Sequence, residues 1–409
     1  MLNSLRIQSY LLALIAFVLP LSKEWLPEVI LLYVVSWLIQ GRFREKLEQF
    51  KSNRIAWIFI AFYIVHVVGM LYTDDLGFGG FDLEIKLSLM VFPLVLASLP
   101  RLSPHAFQGI LRAFVLGCVL SVFYCLYGSY AEYQITNDIQ EFFYLKFSVL
   151  QHPSYMSLYY ILSLGILFYE LTKEEWKQSV FRLISMLLAG LVLFGGIILL
   201  SAKSGIISLC LLLLLVLAYT LIVKRAFVKG ALGVLALVLV LYTLFSYSTL
   251  ARERIETAWL MISKDSSELA ITSVESTTVR LIIWPEAIAL FKENPILGVG
   301  TGDVKNELLK KYTEKGYTGI LGRKSNAHNQ YLQTAVALGS LGLLVLLVGL
   351  LLPAALSLKW KNYLYFLFLL LIMQNALTES ILEVQAGVVF YAFFNSLFMF
   401  LSPQDQPLQ

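Results

Sequence analysis

The sequence has little charge, few cysteines and few histidines for a chain of 409 residues. Only 14% of its residues are charged, against 58% that are hydrophobic, and the mean hydropathy is +0.76. A soluble globular protein needs more charged residues than this at its surface. The composition therefore indicates an integral membrane protein. The formal net charge of +4 is small, which argues against a nucleic-acid partner.

The three cysteines exclude a disulfide framework, since their number is odd and each falls inside an apolar run. None of Cys118, Cys125 and Cys210 lies at metal-ligand spacing from a histidine. We therefore interpret them as small buried hydrophobic residues, and the sequence predicts neither a zinc site nor any other cofactor.

Repeated apolar runs fill most of the chain, and each is close to the ~20 residues that a membrane-spanning helix needs. A bilayer offers no water to backbone groups, so these runs predict helices. We expect an all-α polytopic membrane protein with about 12 transmembrane helices, forming a single integral membrane domain over residues 1–409. The predicted spans are residues 5–22 (taken as an uncleaved first span), 26–40, 54–72, 81–99, 106–131, 154–172, 181–200, 204–223, 229–248, 330–352, 361–378 and 385–402.

Lysine and arginine concentrate on one side of the predicted spans. If the N-terminus is cytoplasmic, the inside connections carry most of them, within residues 42–54, 101, 173–182, 224–229 and 359–361. The outer side carries little: Lys23, Lys146 and Lys203 in short connections, and Lys86 near the end of a span. Because cytoplasmic connections are enriched in these residue types, the sequence predicts that both termini are cytoplasmic.

One connection, residues 249–329, is far longer than the others and is predicted to form a large helical loop on the outer face. Two helices are expected within it. Over 278–292, apolar residues that include Trp284 recur at helical spacing. Over 303–312 a second helix is expected, with Asp303 at its N-cap.

Residues 323–342, with the sequence RKSNAHNQYLQTAVALGSLG, bring a titratable side chain to the entry of an apolar helix. His328 lies in a basic, polar segment, and Asn329 and the helix follow at once. Imidazole titrates near neutral pH, so His328 is a candidate general base or a donor to a phosphate group. The alternative is an inert polar residue at a helix start. Gly339 and Gly342 would let another helix backbone approach closely.

Three cations are candidates for binding a phosphate group. Arg280 begins the first helix of the loop, and a guanidinium binds phosphate through two parallel hydrogen bonds. Lys203 lies between two spans with almost no connection, where a charge is unusual. Arg323 lies in the loop near His328. The alternatives are anchoring to lipid headgroups for Arg280 and Lys203, and simple solvation for Arg323.

Further polar residues are predicted on the same outer side. His152 precedes the sixth predicted span, and Pro153 suits the first turn of that helix. Glu379 and Glu383 lie in the turn before the last span, where they either orient a histidine or a cation or are solvated. The glycine-rich residues 298–302 are interpreted as a turn, because they do not follow a strand of a βαβ unit as a nucleotide-binding motif would.

Histidines, cations and acids thus gather on one face, without a phosphate-binding loop and without a serine–histidine–acid order. This combination suits a substrate that is itself a lipid phosphate. A polyprenyl diphosphate carries its own leaving group, so cations and one base could suffice for a transfer reaction.

These features resemble the O-antigen ligase and polymerase superfamily of bacterial membrane glycosyltransferases. His328, Asn329, Gly339 and Gly342 fit the ligase spacing of a histidine, a polar residue, nine residues, a glycine, two residues and a further small or polar residue. The segment VRLIIWPEAIALFKENPILGVGTG is similar to the family's arginine-containing loop segment. The segment LSAKSG resembles a short family segment in which an arginine usually stands where Lys203 stands here. The region that resembles the ligases spans residues 200–385.

The resemblance implies transfer of a glycan from undecaprenyl diphosphate to an acceptor hydroxyl on the periplasmic side of the bacterial inner membrane, without metal or ATP. The acceptor is lipid A–core for a ligase and another lipid-linked repeat for a polymerase. His328 is then expected to act as the base, and Arg280, Lys203 and, as an auxiliary, Arg323 to neutralise the diphosphate. The residues expected to line the site are His152, Asn329, Glu379 and Glu383.

Three functions stay open at this point. The second outer loop, residues 132–153, is short, and this favours a ligase, because polymerases often have two sizeable outer loops. A membrane transporter is the alternative from another class. Against a transporter, no pair of interrupted spans marks an inverted repeat, and the polar residues gather at the outer edge rather than at mid-membrane.

Overall fold

The computed structural model describes residues 2–173, 179–227, 276–321 and 326–403. Within these ranges the regular elements are helices and no strand occurs, which confirms the all-α fold class. The three cysteines are unpaired, with Cys118 and Cys125 buried and Cys210 half-buried.

The described ranges contain seventeen α-helices. They are α1 Leu2–Val18, α2 Trp25–Ile39, α3 Phe43–Ser52, α4 Ile55–Gly69, α5 Leu76–Lys86, α6 Ser88–Leu96, α7 Pro104–Thr136, α8 Tyr144–Phe147, α9 Pro153–Thr172, α10 Val180–Leu200, α11 Lys203–Ala218, α12 Ser276–Glu293, α13 Val304–Glu314, α14 Thr318–Leu321, α15 Gln330–Lys359, α16 Tyr363–Ala376 and α17 Gln385–Ser396. Short 3₁₀-helices occupy Met70–Tyr72, Ile139–Phe142 and Ile381–Glu383. Single π-helical turns occupy Tyr219–Val223 and Leu397–Leu401.

Five helices of the described part are long and apolar enough to cross a membrane, and a sixth follows if α2 and α3, bent by 112°, form one broken span. The five are Ile55–Tyr72, Pro104–Thr136, Val180–Leu200, Lys203–Val223 and Gln330–Lys359. The predicted number of about 12 spans is therefore not confirmed. The apolar helices α1, α16 and α17 stand at predicted spans but are shorter, and the predicted span 229–248 lies outside the described residues.

The predicted span 81–99 is divided between two helices, α5 and α6, so the prediction of one continuous span is wrong there. Helix α5 starts at Asp75, whose carboxylate accepts the N–H of Phe78 at 2.9 Å. It carries Asp82 and Lys86 on its buried side. A helix with a buried charged pair cannot present the uniform apolar surface of a lipid-exposed span, and only the α6 part of the segment is continuously apolar.

The main core is built around α17, the last helix. Every residue from 386 to 401 is buried, as expected for a helix that is apolar on all sides. Its phenylalanines pack edge-to-face with one another and with neighbouring helices. The ring of Phe394, for example, lies 4.7 Å from that of Phe114 in α7. This packing makes α17 the centre of the bundle.

A second, smaller core lies in the described part of the long connection. Helices α12 and α13 form close to their predicted positions, and both pack on the first turns of α15. Asp303 stands at the N-cap position of α13, as predicted, but its carboxylate makes no cap hydrogen bond. Its two oxygens instead accept the backbone N–H groups of Asp74 and Asp75, each at 2.8 Å. The loop is thereby tied to the start of α5.

Helix α15 is broken at Gly339, whose φ of +62° and ψ of −159° lie outside the helical region. The backbone groups that the break leaves without helical partners bond to the segment after α12. Ser340 N–H, for example, donates to the Pro295 carbonyl at 2.8 Å. A Cβ at position 339 would lie 2.2 Å from the Ile296 carbonyl oxygen, so only glycine fits. The close approach predicted for Gly339 therefore comes from a loop and not from another helix.

Candidate functional site

His328 occupies a turn whose backbone is held from several sides. Its φ of +45° lies in the left-handed region, which costs a residue with a side chain about 1 kcal/mol or more. Its N–H donates to the Asn326 side chain at 3.0 Å. The neighbouring Ala327 donates to the Gln333 side chain at 3.1 Å and accepts from the Trp284 indole at 3.1 Å. Strain that persists inside such a framework is typical of a functional position.

Asn329 connects the His328 turn to the connection between α16 and α17. Its side-chain oxygen caps α15 by accepting the N–H of Leu332 at 3.1 Å, and its amide donates to the Leu377 carbonyl at 3.2 Å. The residue is buried. Asn329, predicted to line the site, therefore positions the two segments that carry the site.

Glu379 is the point on which the candidate residues converge. One carboxylate oxygen lies 3.5 Å from His328 Nδ1. The other accepts from the Arg280 guanidinium at 3.2 Å and from the Ser154 hydroxyl at 3.1 Å. The guanidinium also donates through Nε to the Thr378 carbonyl at 3.0 Å. We refer to His328, Arg280, Glu379, Ser154 and His152 as the histidine cluster.

Glu379 is held as a carboxylate by its neighbours. Burial by itself raises the pKa of this side chain, which is 15% exposed. The contact with His328 and the positive charges of Arg280 and His152 act in the opposite direction and prevail, so the pKa of Glu379 lies below its ordinary value. The histidine cluster thus contains a fixed negative charge between an arginine and two histidines.

His152 lies at the N-cap of α9, and Pro153 forms the first turn of that helix as predicted. Its Nδ1 accepts the N–H of Ser154 at 3.4 Å, and its ring packs edge-on against Tyr144 and Tyr155. Desolvation by the surrounding protein lowers the pKa of His152. The positive charges of Arg280 and His328 act in the same direction, and Glu379 opposes them. The structure therefore brings this second histidine within electrostatic range of the cluster.

Lys203 is the first residue of α11 and follows a sharp turn in which Ser201 has a φ of +46°. Two residues later, Gly205 packs so closely on α9 that a Cβ there would lie 2.6 Å from Ser157. Ser157 is less than one turn from Ser154 of the histidine cluster. Lys203 therefore stands at the same end of α9 as the cluster. Arg323, the remaining predicted cation, lies outside the described residues.

Glu383 belongs to a different set of contacts from Glu379, although the two were predicted together. Its carboxylate accepts from Lys86 at 2.8 Å and from Gln330 at 3.0 Å. The charges of Lys86 and the hydrogen bond from Gln330 outweigh burial and hold the pKa of Glu383 below its ordinary value. Lys86 was predicted only as a lysine of the outer side and not as a site residue, although a lysine inside an apolar run is a recognised signal. Ser154, which carries no such signal, was not predicted.

The glycine-rich residues 298–302 form a structural turn, as predicted. The N–H groups of Val299 and Gly300 donate to carbonyls of α15, each at 2.9 Å, and that of Gly302 donates to Thr73 at 3.1 Å. These groups are thus engaged within the protein and do not form a phosphate nest. The turn also borders a cavity of about 870 Å³ beside Tyr72, and no residue of the histidine cluster lines that cavity.

Residues 187–347 match the family described as O-antigen ligase. This stretch contains His328, Arg280 and Lys203 and ends within α15. No curated protein matches the chain. The resemblance seen in the sequence is confirmed over this stretch, and the match supports a function of the O-antigen ligase or polymerase type.

Proposed function

We propose that the protein is an O-antigen ligase-like enzyme, which moves a glycan from undecaprenyl diphosphate to a lipid A–core or similar acceptor hydroxyl at the periplasmic face of the bacterial inner membrane. The observation that supports this proposal best is the convergence of His328, Arg280 and Ser154 on Glu379 beside His152. A base and a fixed guanidinium at one end of a helical membrane protein suit a reaction between lipid-anchored substrates.

His328 is the base of the proposed reaction. It accepts the proton of the acceptor hydroxyl while the hydroxyl oxygen forms a bond to the anomeric carbon of the glycan. The bond from that carbon to the diphosphate oxygen breaks, and its electron pair leaves with undecaprenyl diphosphate. Direct displacement inverts the anomeric carbon. The 3.5 Å contact with Glu379 orients the imidazole and stabilises its protonated form.

Arg280 and Lys203 stabilise the diphosphate as it leaves, with Arg323 as an auxiliary. The Arg280 side chain is fixed by Thr378 and Glu379 and is 16% exposed, so its charge acts in a partly dry environment. A lysine at position 203 keeps the charge of the arginine usual in the family but has no planar fork of donors. No metal-dependent step is part of this proposal.

The proposed topology follows the sequence: about 12 spans in one membrane domain, both termini cytoplasmic, and residues 249–329 as a periplasmic loop within the ligase-like region 200–385. Three helix starts support it. Helices α9, α11 and α15 begin near the predicted outer face, at His152, Lys203 and Asn329, and run toward segments rich in lysine and arginine.

A polymerase that joins lipid-linked repeats is the second candidate within the same family. The connection between α7 and α9 is short, which favours the ligase. Gel profiles of a deletion strain separate the two functions. Loss of all capped lipopolysaccharide indicates a ligase, whereas lipopolysaccharide with core and a single repeat indicates a polymerase.

Reconstitution of the purified protein with lipid-linked glycan and a choice of acceptors tests the proposal itself. We expect glycan on lipid A–core and release of undecaprenyl diphosphate. Products that are longer lipid-linked glycans would assign the polymerase function. Solute uptake into the vesicles that depends on the protein, without any glycan transfer, would contradict both and assign a transporter.

A further inference from the structure

Lys86, the last residue of α5, is a buried lysine that the proposed chemistry does not use. Its side chain has no exposed surface. Its ammonium donates to the carboxylate of Asp82, one turn earlier in the same helix, and to that of Glu383 at 2.8 Å. Burying three charged groups costs free energy that their pairing at best offsets, so stability alone is a poor reason for such a cluster.

Glu383 connects Lys86 to the start of α15. Its second carboxylate oxygen accepts from the Gln330 amide at 3.0 Å. The side-chain amide oxygen of Gln330 in turn accepts the N–H of Leu382 at 2.7 Å. The glutamine side chain therefore makes two hydrogen bonds to the turn that contains Glu383. Gln330 is fully buried and lies two residues after His328. One carboxylate and one amide therefore join Lys86 to the helix start that carries His328.

Glu383 also belongs to the same connection as Glu379. This connection, residues 377–384, is fixed at one end where Asn329 bonds to the Leu377 carbonyl, and at the other where Gln330 and Lys86 bond to Glu383. Glu379 lies between these two attachment points. The two residues of the 3.5 Å contact between His328 and Glu379 thus lie on segments that are joined through Glu383, the partner of Lys86.

We propose that Lys86 is a positioning residue of the transfer site, which holds His328 and Glu379 in register through Glu383 and Gln330. The inference rests on the proposed function, since it assigns Lys86 a part in the reaction that His328 promotes. Lys86 touches no substrate, because its ammonium is enclosed by its two carboxylate partners. Without it, Glu383 is a buried charge without its cation, and the connection and the start of α15 move apart.

Two variants and one matched control test this role. Lys86→Met removes the ammonium and keeps the apolar volume. Lys86→Met combined with Glu383→Gln removes both charges, and the new amide oxygen can still accept from Gln330. The control is Glu170→Gln, which breaks another buried ion cluster, in which Glu170 accepts from Arg112 and Arg182 far from His328. The readouts are kcat and KM for glycan transfer in proteoliposomes, per folded molecule.

For Lys86→Met we expect kcat to fall between about 10-fold and 100-fold, with KM within about twofold of wild type, because a misplaced group slows the reaction without weakening substrate binding. The double variant should recover about tenfold of that loss, because the side chain that accepts from Gln330 is then no longer a buried charge without its cation. Glu170→Gln should keep the wild-type kcat per folded molecule. If Lys86→Met does not fold, Gln330→Met is used instead. It removes the hydrogen bonds between the start of α15 and the turn that contains Glu383, and it should lower kcat to a similar extent.

Equal kcat values for the Lys86 variant and the Glu170 control would show that Lys86 is merely structural and would overturn the proposal. A double variant as slow as Lys86→Met would also overturn it, because the ammonium would then act on the reaction itself. Failure of the wild-type protein to transfer glycan contradicts the proposed function instead, and this result is visible before any variant is compared.

Discussion

Two carboxylates, Glu379 and Glu170, each meet two basic side chains, but in different ways. Glu170 is 3% exposed and accepts from Arg112 at 2.8 Å and from Arg182 at 2.6 Å. Glu379 is 15% exposed, and its partners are farther away, with Arg280 at 3.2 Å and His328 at 3.5 Å. The short contacts around Glu170 join three helices and are typical of a structural ion cluster.

The Glu379 contacts leave room for chemistry that the Glu170 contacts do not. One partner of Glu379 is the imidazole of His328, whereas both partners of Glu170 are arginines with a permanent charge. The backbone at His328 is also left-handed. A carboxylate with a histidine partner and longer contacts can reorganise around a substrate, whereas one with short bonds to two arginines holds helices together. The predictions below test this difference.

The largest expected effect is that of His328→Ala. The variant should remain a folded membrane protein but should lose glycan transfer by about 10²–10⁴-fold, the usual contribution of a general base. The measurement is the lipopolysaccharide ladder of cells that carry only the variant, alongside its level in isolated membranes. A normal ladder at a normal protein level would refute the assignment of the base.

Gly339→Ala should be the most destabilising exchange in α15. The new Cβ would lie 2.2 Å from the Ile296 carbonyl oxygen at a φ of +62°, which we expect to cost about 3 kcal/mol or more. Gly349→Ala, in a regular part of the same helix where the nearest atom to a new Cβ would be the Tyr391 hydroxyl at 4.0 Å, is the matched control and should be neutral or slightly stabilising. Thermal unfolding of both in detergent checks this, and equal Tm values would contradict the break at Gly339.

Arg280→Lys should lower kcat/KM between about 10-fold and 100-fold, because lysine keeps the charge but loses the planar donors that hold Thr378 and Glu379 and bind a diphosphate. Arg182→Lys makes the same exchange beside Glu170 and should leave kcat/KM close to wild type. Steady-state rates with varied lipid-linked donor compare the two. A similar loss in both variants would remove the distinction between the two carboxylates.

The smallest expected effect concerns pH and His152. Its pKa in the folded protein lies below the ordinary value of 6.5, chiefly because of desolvation. The unfolded chain therefore binds the proton more readily, so the stability that neutral His152 contributes is present above pH 6.5 and is lost as the pH falls below it. His152→Asn keeps an N-cap acceptor for Ser154 and should flatten the decrease of Tm between about pH 7.5 and 5. An unchanged slope would show that His152 does not titrate as expected.

Much of the helical layout could be predicted from the sequence, because apolar runs and helix-start residues act locally. The helices at 276–293 and 304–314 and the proline at the start of α9 follow from such local rules. The break at Gly339 could not be predicted, because it depends on backbone groups near Ile296 that are far away in the chain. The division of residues 81–99 into two helices was missed because Asp82 and Lys86 are buried together with Glu383, which is far away in the chain.

The histidine cluster could be predicted in part. Charge distribution and the ligase spacing identified His328, Arg280 and Glu379 as candidates on one face, and the structure brings these three together. Glu383 lies four residues from Glu379 but faces Lys86 instead. The sequence does not predict this, because the direction of each side chain in an irregular turn depends on its tertiary contacts. Ser154 was missed because a serine near a helix start usually has only a capping role.

The most direct test of the account compares purified wild-type protein with His328→Ala and Glu170→Gln in proteoliposomes that contain lipid-linked glycan and acceptor. The measurement counts both products, the glycan joined to the acceptor and the undecaprenyl diphosphate released. We expect equal amounts of the two products from the wild type and from Glu170→Gln, and neither product above the protein-free background from His328→Ala. Transfer by His328→Ala at the wild-type rate would contradict the central claim that the histidine cluster carries out the reaction.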